Sequence, residues 1–252
     1  MELTGNTILI TGGTSGIGRA LAEQFHRRGN AVIIAGRRRA LLDEISAANL
    51  GMVGLQVDVA EPASIADFTA EVRARFPALN VLINNAGISR PEDLMADNID
   101  VSVANALVHT NIVSVLAVTA ALLPGLRRQP RATVMATTSG LAFVPFAPFP
   151  TYCATKAFLH SWLQSLRFQL RSTSVEVIEL APPYVQTELG GARQLSDPHA
   201  VPLDDYIAEV MDILSKPLPF SGEILTERVK ELRTADASGN YDAVFLANNQ
   251  RD

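Results

Sequence analysis

TILITGGTSGIG, Thr7 to Gly18, is the stretch on which the fold turns. Thr7 to Ile10 is a short apolar run of strand length, and the glycine-rich turn after it passes directly into a helical pattern. Ile17, Leu21 and Phe25 recur at helical spacing, and Arg27, Arg28 and Gly29 close the helix. Strand, glycine loop and helix in that order are the context that makes a loose glycine motif a dinucleotide-binding one. Gly12 permits the tight turn, Gly16 lets the backbone approach a pyrophosphate, and Gly18 allows close helix packing. With Thr14, Ser15 and Ile17 they form the candidate cradle, the helix N-terminus facing the phosphates. A plain glycine turn is the competing reading, and the flanking segments weigh against it.

A second strand is expected over Ala31–Ala35, ending in Gly36, Arg37 and Arg38. The end of that strand meets the adenosine ribose in a dinucleotide fold. A carboxylate there would hold the 2′-hydroxyl of NAD(H). Arg37 and Arg38 instead suit a 2′-phosphate, so NADP(H) is the expected cofactor and NAD(H) the weaker fit. A helix over 40–48 and a third strand over 53–57 follow, with Asp58 and Val59 at its end. Asp58 can accept from an adenine amino group or cap the helix that begins near Pro62. After a helix over 63–76, strand 81–83 leads into Asn84, Asn85, Ala86 and Gly87. Small residues there would let the sheet edge lie against a cofactor while the asparagines pin neighbouring strands. Residues 90–100 are acidic and irregular and suggest no chemistry. One long helix is expected over 101–123, with Asn111 inside it.

Strand 132–137 delivers Ser139 at its carboxyl end, where ligands bind in open α/β sheets. The segment Thr137–Lys156, TTSGLAFVPFAPFPTYCATK, then sets a tyrosine and a lysine four residues apart. On a helix that spacing puts Tyr152 and Lys156 on one face. A phenol ordinarily titrates near pH 10. A nearby ammonium contributes up to ~4 kcal/mol at an effective dielectric near 20, or roughly three pKa units, so Tyr152 is expected to be drawn toward neutrality. Leu141, Phe143, Val144, Phe146, Phe149 and Tyr184 form the expected apolar wall around a substrate. Leu159, Trp162, Leu163, Leu166 and Leu170 are a core stripe, followed by a strand over 175–180. Residues 184–201 have the composition of a lid.

Of the 252 residues, 48% are hydrophobic and 19% charged, enough for a substantial core. A net charge of −5 gives no reason to expect nucleic acid or an anionic membrane as partner. The start, MELTGNT, lacks a secretory pattern, and the apolar run 112–123 is too short to cross a bilayer. Cys153 is the single cysteine; it fits a reducing compartment, and the cytoplasm is the expected location. His26, His109, His160 and His199 show no ligand spacing, so no metal site is expected. A serine hydrolase is disfavoured because no G-x-S-x-G elbow occurs. Alternating strands and helices, without repeat or linker, predict one doubly wound, mostly parallel α/β sheet with helices on both faces.

Taken together, the glycine motif, Asn84–Gly87, Asn111, Ser139, Tyr152 and Lys156 resemble the short-chain dehydrogenase/reductase family, whose single-domain Rossmann fold would span 1–252. Within it, GLAFVPFAPFPTYCATKAFLHSWLQSLR and VIELAPPYVQT resemble the oxidoreductases named after D-alanine esterification of teichoic acid. The resemblance implies an oxidoreductase acting on a small carbonyl or alcohol compound. Tyr152 would exchange the proton, Ser139 would bond the carbonyl oxygen, and Lys156 would tune Tyr152 and hold the nicotinamide ribose. Asn111 would hold a water, while Pro182, Val185 and Thr187 would lie against the nicotinamide. A catalytically idle redox sensor on the same fold is the alternative, and retention of all four polar positions favours an enzyme. Two departures stand out: Pro182-Pro183 replaces the usual Pro-Gly, and the usual Asp-Gly-Gly near the C-terminus is missing, which puts the segment 223–252 in doubt. The apolar faces of 101–123 and 157–170 suit two-fold pairing, and with the C-terminal surface changed a homodimer is expected ahead of a tetramer.

Overall fold

The computed structural model describes residues 1–250. Seven strands, all parallel, lie in the order β3-β2-β1-β4-β5-β6-β7. They are β1 (Thr7–Thr11), β2 (Ala31–Gly36), β3 (Val53–Gln56), β4 (Val81–Asn84), β5 (Ala132–Thr137), β6 (Val175–Ala181) and β7 (Glu223–Leu225). The order reverses between β1 and β4, which opens a crevice at the carboxyl ends of those strands.

Side chains alternate across each strand and feed two cores. Ile8, Ile10, Ile34 and Ile83 pack under α1 (Gly16–Arg27), α2 (Arg39–Ala48) and α7 (Leu203–Leu214), whose Leu21, Phe25, Ile45 and Val210 are buried. Leu9, Ile33, Leu82, Val134 and Val177 face α3 (Pro62–Arg75), α5 (Ser114–Leu126) and α6 (Pro150–Leu170) through Phe68, Val118, Leu122, Leu163 and Leu166. Burial of a large apolar side chain contributes ~1.5–3 kcal/mol.

The helix expected over 101–123 is divided. α4 (Ser102–Val108) passes into a π-helical turn, His109–Val113, and then α5. The wider turn carries Asn111, whose side-chain amide donates to the Ile88 carbonyl (3.0 Å) and accepts from the Ile88 N–H (2.9 Å). Hydrophobic periodicity cannot register one inserted residue, so this bulge is invisible in the pattern. The stretch Ser102–Leu126 is long and apolar enough to cross a membrane by length and composition, whereas the apolar run alone looked too short. Its inner face is core, with Val115, Val118, Leu122 and Leu126 buried against the sheet.

The C-terminal segment does contain the doubtful last strand, β7, parallel to β6. The charged ERVKELR run is α8 (Glu227–Thr234), and α9 (Tyr241–Asn249) ends the described chain. Asn249 accepts from Ala147 N–H (2.6 Å) and donates to the Pro145 carbonyl (3.1 Å), so α9 straps the proline-phenylalanine loop before α6.

Gly18 is the tightest point between α1 and the sheet. A methyl group there would overlap the Asn85 amide nitrogen and the Gly12 carbonyl oxygen. Gly18→Ala should therefore lower stability by about 1–3 kcal/mol despite alanine's better helix propensity. Urea unfolding measures this, and an unchanged midpoint would show that the contact relaxes freely.

Candidate active site

The floor of the crevice is built from β1, β4 and β5. Gly12, at φ +68°, makes the turn after β1, where a Cβ would stand 2.8 Å from Ala86 Cα. Thr11 Oγ1 accepts from the N–H groups of Asn85 and Ala86, both at 3.1 Å. Asn85 donates to the Thr11 and Gly12 carbonyls (3.3 Å each) and accepts from Thr137 Oγ1 (3.2 Å). One amide thus ties all three strand ends, as the asparagine reading anticipated, while Asn84 donates to Thr119 on α5 (2.9 Å).

On α6, Tyr152 and Lys156 are one turn apart and both buried. Lys156 Nζ lies 5.6 Å from the Tyr152 ring centroid and donates to the Thr137 carbonyl at 2.8 Å. Ser139 Oγ accepts from Leu141 N–H (3.1 Å) and stands beside the Tyr152 phenol, close enough to act on its titration. Burial pushes the phenol up to about 12; the Ser139 hydroxyl opposes that rise, and the neighbouring Cys153 adds to it. Burial also lowers Lys156 to about 8. This corrects the expectation of a tyrosine drawn toward neutrality. Desolvation of both groups outweighs their mutual field, so at neutral pH Tyr152 is a phenol and a proton donor.

The cleft in front of these groups has a volume of about 530 Å³ and runs from the glycine loop past Arg37, Arg38 and Asp58 to Tyr152 and Lys156. Arg38 folds over the loop, donating to Thr14 Oγ1 (3.2 Å) and Ser15 Oγ (3.0 Å), with Glu188 3.9 Å away. A second hollow, about 240 Å³, lies at the opposite end of the sheet beside Met1 and Glu176, where the terminal amine already neutralises the carboxylate at 2.6 Å.

Residues 6–197 match the short chain dehydrogenase family. The chain is a short-chain dehydrogenase/reductase. It is 39% identical over the full length of both chains to an uncharacterized oxidoreductase, DltE, of Bacillus subtilis. It is also 32% identical to the NADP-dependent 3-hydroxy acid dehydrogenase YdfG of Salmonella typhi, over 95% of this chain and 93% of that one. Among solved structures, the closed form of serine dehydrogenase complexed with NADP+ aligns at TM-score 0.75 and 26% identity, covering 86% of this chain and 91% of that one. A Burkholderia cenocepacia short chain dehydrogenase in complex with NADP shares the fold at TM-score 0.83 over all of both chains, with 21% identity. Oxidoreductase chemistry on a Rossmann-type sheet follows from this membership.

In this short-chain dehydrogenase/reductase the cleft is lined by Gly12, Thr14, Ser15, Gly16, Ile17, Val59, Ala86 and Gly87, and on its other side by Ser139, Pro182, Val185 and Thr187. Gly18 and Asn111 stand behind that lining, Asn111 also donating to Thr155 Oγ1 (3.1 Å). Asp58 does not cap a helix: its Oδ1 accepts from Ala60 N–H (3.0 Å), and α3 begins after Glu61. Leu141, Phe146 and Phe149 pack around Tyr152 and Cys153. Phe143 does not join that wall. Its ring meets His160 edge-on at 5.0 Å and lies under the Arg233 guanidinium, because the short helical turn after Ser139 rotates it toward α8. Tyr184 is likewise outside the cleft lining; its hydroxyl donates to Asp197 (3.2 Å). Residues 90–100, whose pattern suggested no role, supply Glu92, whose carboxylate accepts from Thr151 N–H (3.0 Å) and Oγ1 (2.9 Å), pinning the first turn of α6 beside Tyr152. Arg90, Leu189 and Gln194 also reach the cleft or its lid. Glu92 reads as one more acid in an acidic run, and only the docking of Thr151 marks it out.

The depressed Lys156 value has a thermodynamic signature. Folding takes a lysine that titrates ordinarily near 10.5 and holds its charged form less well, so the cost is present in full below pH 8 and disappears as pH rises toward 10.5. Lys156→Met should stabilise the fold at pH 7 by something on the order of 3 kcal/mol at most, less the lost bond to Thr137. The gain should shrink between pH 8 and 10.5. A substitution that destabilises equally at every pH would show that the buried ammonium is not costly.

Proposed function

We propose that this oxidoreductase uses NADP(H) and reduces apolar or aromatic carbonyl compounds. The observation that carries the cofactor reading is the end of β2. Gly36 stands where a carboxylate would meet a ribose hydroxyl, and the Arg38 guanidinium lies over the glycine loop beside Ser15. An arginine held there offers paired N–H donors to a 2′-phosphate, with Arg37 exposed next to it. The cradle fits a dinucleotide: Gly16 holds φ +52°, a left-handed conformation that favours glycine, and a Cβ there would press on Thr187 at 3.3 Å, so glycine keeps the loop low beneath the phosphates. The NADP-dependent relative and the NADP complexes are in line with this choice.

Within the cleft, Gly12 to Gly18 and the α1 N-terminus would hold the phosphates, and Lys156 the nicotinamide ribose. Thr187 and the Val185 backbone would orient the nicotinamide amide. The bound cofactor supplies the hydride. Ser139 and Tyr152 would bond the substrate carbonyl oxygen, and Tyr152, kept protonated by burial, would deliver its proton to that oxygen as negative charge develops. A phenol that is neutral at physiological pH favours reduction, whereas alcohol oxidation would need its conjugate base. Leu141, Phe146, Phe149 and Ile88 give the Tyr152 surroundings an apolar character, which favours an apolar or aromatic substituent. A homodimer belongs to the same reading, since Val108, Val113 and Phe158 remain exposed on the helices α4 to α6.

A screen of ketones and aldehydes followed by NADPH absorbance tests the activity. Tyr152→Phe should keep cofactor binding and lose at least about 10²-fold in turnover. Wild type should favour NADPH over NADH, and the double change Arg37→Leu with Arg38→Leu should weaken NADPH about tenfold or more while leaving NADH nearly unchanged, as expected for loss of charge-assisted bonds. Equal efficiency of wild type with both cofactors would refute the assignment to NADP(H). In the oxidation direction kcat/KM should rise with pH through the alkaline range, and a flat profile would remove Tyr152 as the base.

A further inference from the structure

Behind the strand that carries Ser139 lies a buried polar cluster that the chemistry above does not use. Glu179, on β6, is fully buried and stands in register with Ala136 of β5. One carboxylate oxygen accepts from Thr138 Oγ1 at 2.7 Å, and the other from His160 Nδ1 at 2.8 Å. The His160 Nε2 accepts from the Gln164 side-chain amide at 2.9 Å, so a neutral ring with its proton on Nδ1 satisfies both partners. Glu223 lies 3.8 Å from the same ring and is paired with Arg233 of α8 at 3.0 Å. Arg167, whose field Glu179 and Glu223 both feel, is the second guanidinium.

Histidine spacing suggested no metal site, yet folding brings ligand atoms of His160, Glu179 and Glu223 within 4.8 Å of one another. Here both Glu179 oxygens are already engaged by Thr138 and His160, Glu223 Oε1 is paired with Arg233, and two guanidinium groups offset the two carboxylates. The cluster therefore acts as a hydrogen-bonded brace. Burial of such a network adds little net stability compared with an apolar core, so its consequence is geometric.

We propose that Glu179 is a positioning residue for the acid–base pair, acting through Thr138 on one side and His160 on the other. Thr138 lies between Thr137, whose carbonyl receives Lys156 Nζ, and Ser139, which stands beside the Tyr152 phenol. His160 lies one turn beyond Lys156 on α6. A single carboxylate thus joins the strand end and the helix that must meet to form the site. The same brace reaches α8, which also covers the turn after Ser139. A Cβ on Gly140 would come within 2.9 Å of Leu232 and 3.6 Å of Val229.

This inference rests on the reading of Tyr152 and Lys156 as the acid–base pair, so Tyr152→Phe is assayed alongside, with NADPH and 4-nitrobenzaldehyde. Turnover surviving in Tyr152→Phe would sink that reading whatever the brace does. Thr138→Val removes the hydroxyl at nearly constant shape, and because a 1 Å misplacement can cost 10²-fold, kcat should fall about tenfold or more, with NADPH affinity by nucleotide fluorescence within about twofold. Thr138→Ser should restore most of the rate. Loss of Thr138's tether should weaken the hold of the Thr137 carbonyl on the ammonium, moving the alkaline limb of the kcat/KM profile to lower pH. Glu179→Gln, whose single amide oxygen can accept from only one of Thr138 and His160, should also lower kcat, and its combination with Thr138→Val should cost less than the sum of the two. Should Glu179→Gln fail to fold, the Thr138 pair decides alone. A Thr138→Val enzyme that melts earlier but keeps kcat within about threefold of wild type, with the pH profile unmoved, would overturn the proposal. So would a rise in melting temperature with added Zn²⁺ or Mn²⁺ that His160→Ala abolishes, since the lone pairs would then belong to a cation.

Discussion

The bond from Lys156 Nζ to the Thr137 carbonyl is the point at which the molecule's two halves meet. It joins α6 to the end of β5 in a place with little water, where an ammonium without an acceptor would be far more costly. The backbone oxygen is available because β5 ends there and the chain leaves the ladder. The strand ends are in turn held level by Asn85, bonded to β1 on one side and Thr137 on the other. Loss of level at any of these ends would shift the lysine, and with it the tyrosine one turn away.

Burial explains how both groups of this arrangement titrate. Tyr152 and Lys156 move in opposite directions from their ordinary values because the same desolvation disfavours the charged form of each. A phenol that does not ionise at neutral pH can donate a proton, and a lysine titrating at about 8 responds to a negative group brought near it. Helix-supporting contacts keep the pair in place: Glu92 at the first turn of α6, the Asn111 amide across to Ile88, and the His160–Glu179 link further along. None of the three faces the cleft. Their role is to hold a segment of helix whose charged residue opposes its own burial.

The C-terminal segment belongs to the same structure. β7 extends the sheet, α8 covers the turn after Ser139, and α9 binds the loop that precedes Tyr152 through Asn249. That loop is rich in proline and phenylalanine and has few backbone bonds of its own, so the strap from α9 limits the positions it can take.

The sequence by itself determined the sheet and the polar residues gathered at the cleft. Local signals were sufficient there: an apolar run ahead of the glycine turn, helical spacing from Ile17 to Phe25, a tyrosine and lysine four residues apart, and paired arginines after β2. Each of these features acts through neighbours within a turn or a strand, so its meaning survives in one dimension. Tertiary structure alone decided the rest. The π-helical turn at Asn111 changes helix register without changing hydrophobic pattern, and Phe143 leaves the expected wall because a three-residue turn rotates it under Arg233. Histidine spacing could not reveal His160, Glu179 and Glu223 as one cluster, since they are brought together only by α6 crossing two parallel strands. The shift of Tyr152 upward rather than downward was decided the same way. Spacing tells how near a charge lies, but the loss of water around it depends on everything packed above, and here that loss is the larger effect.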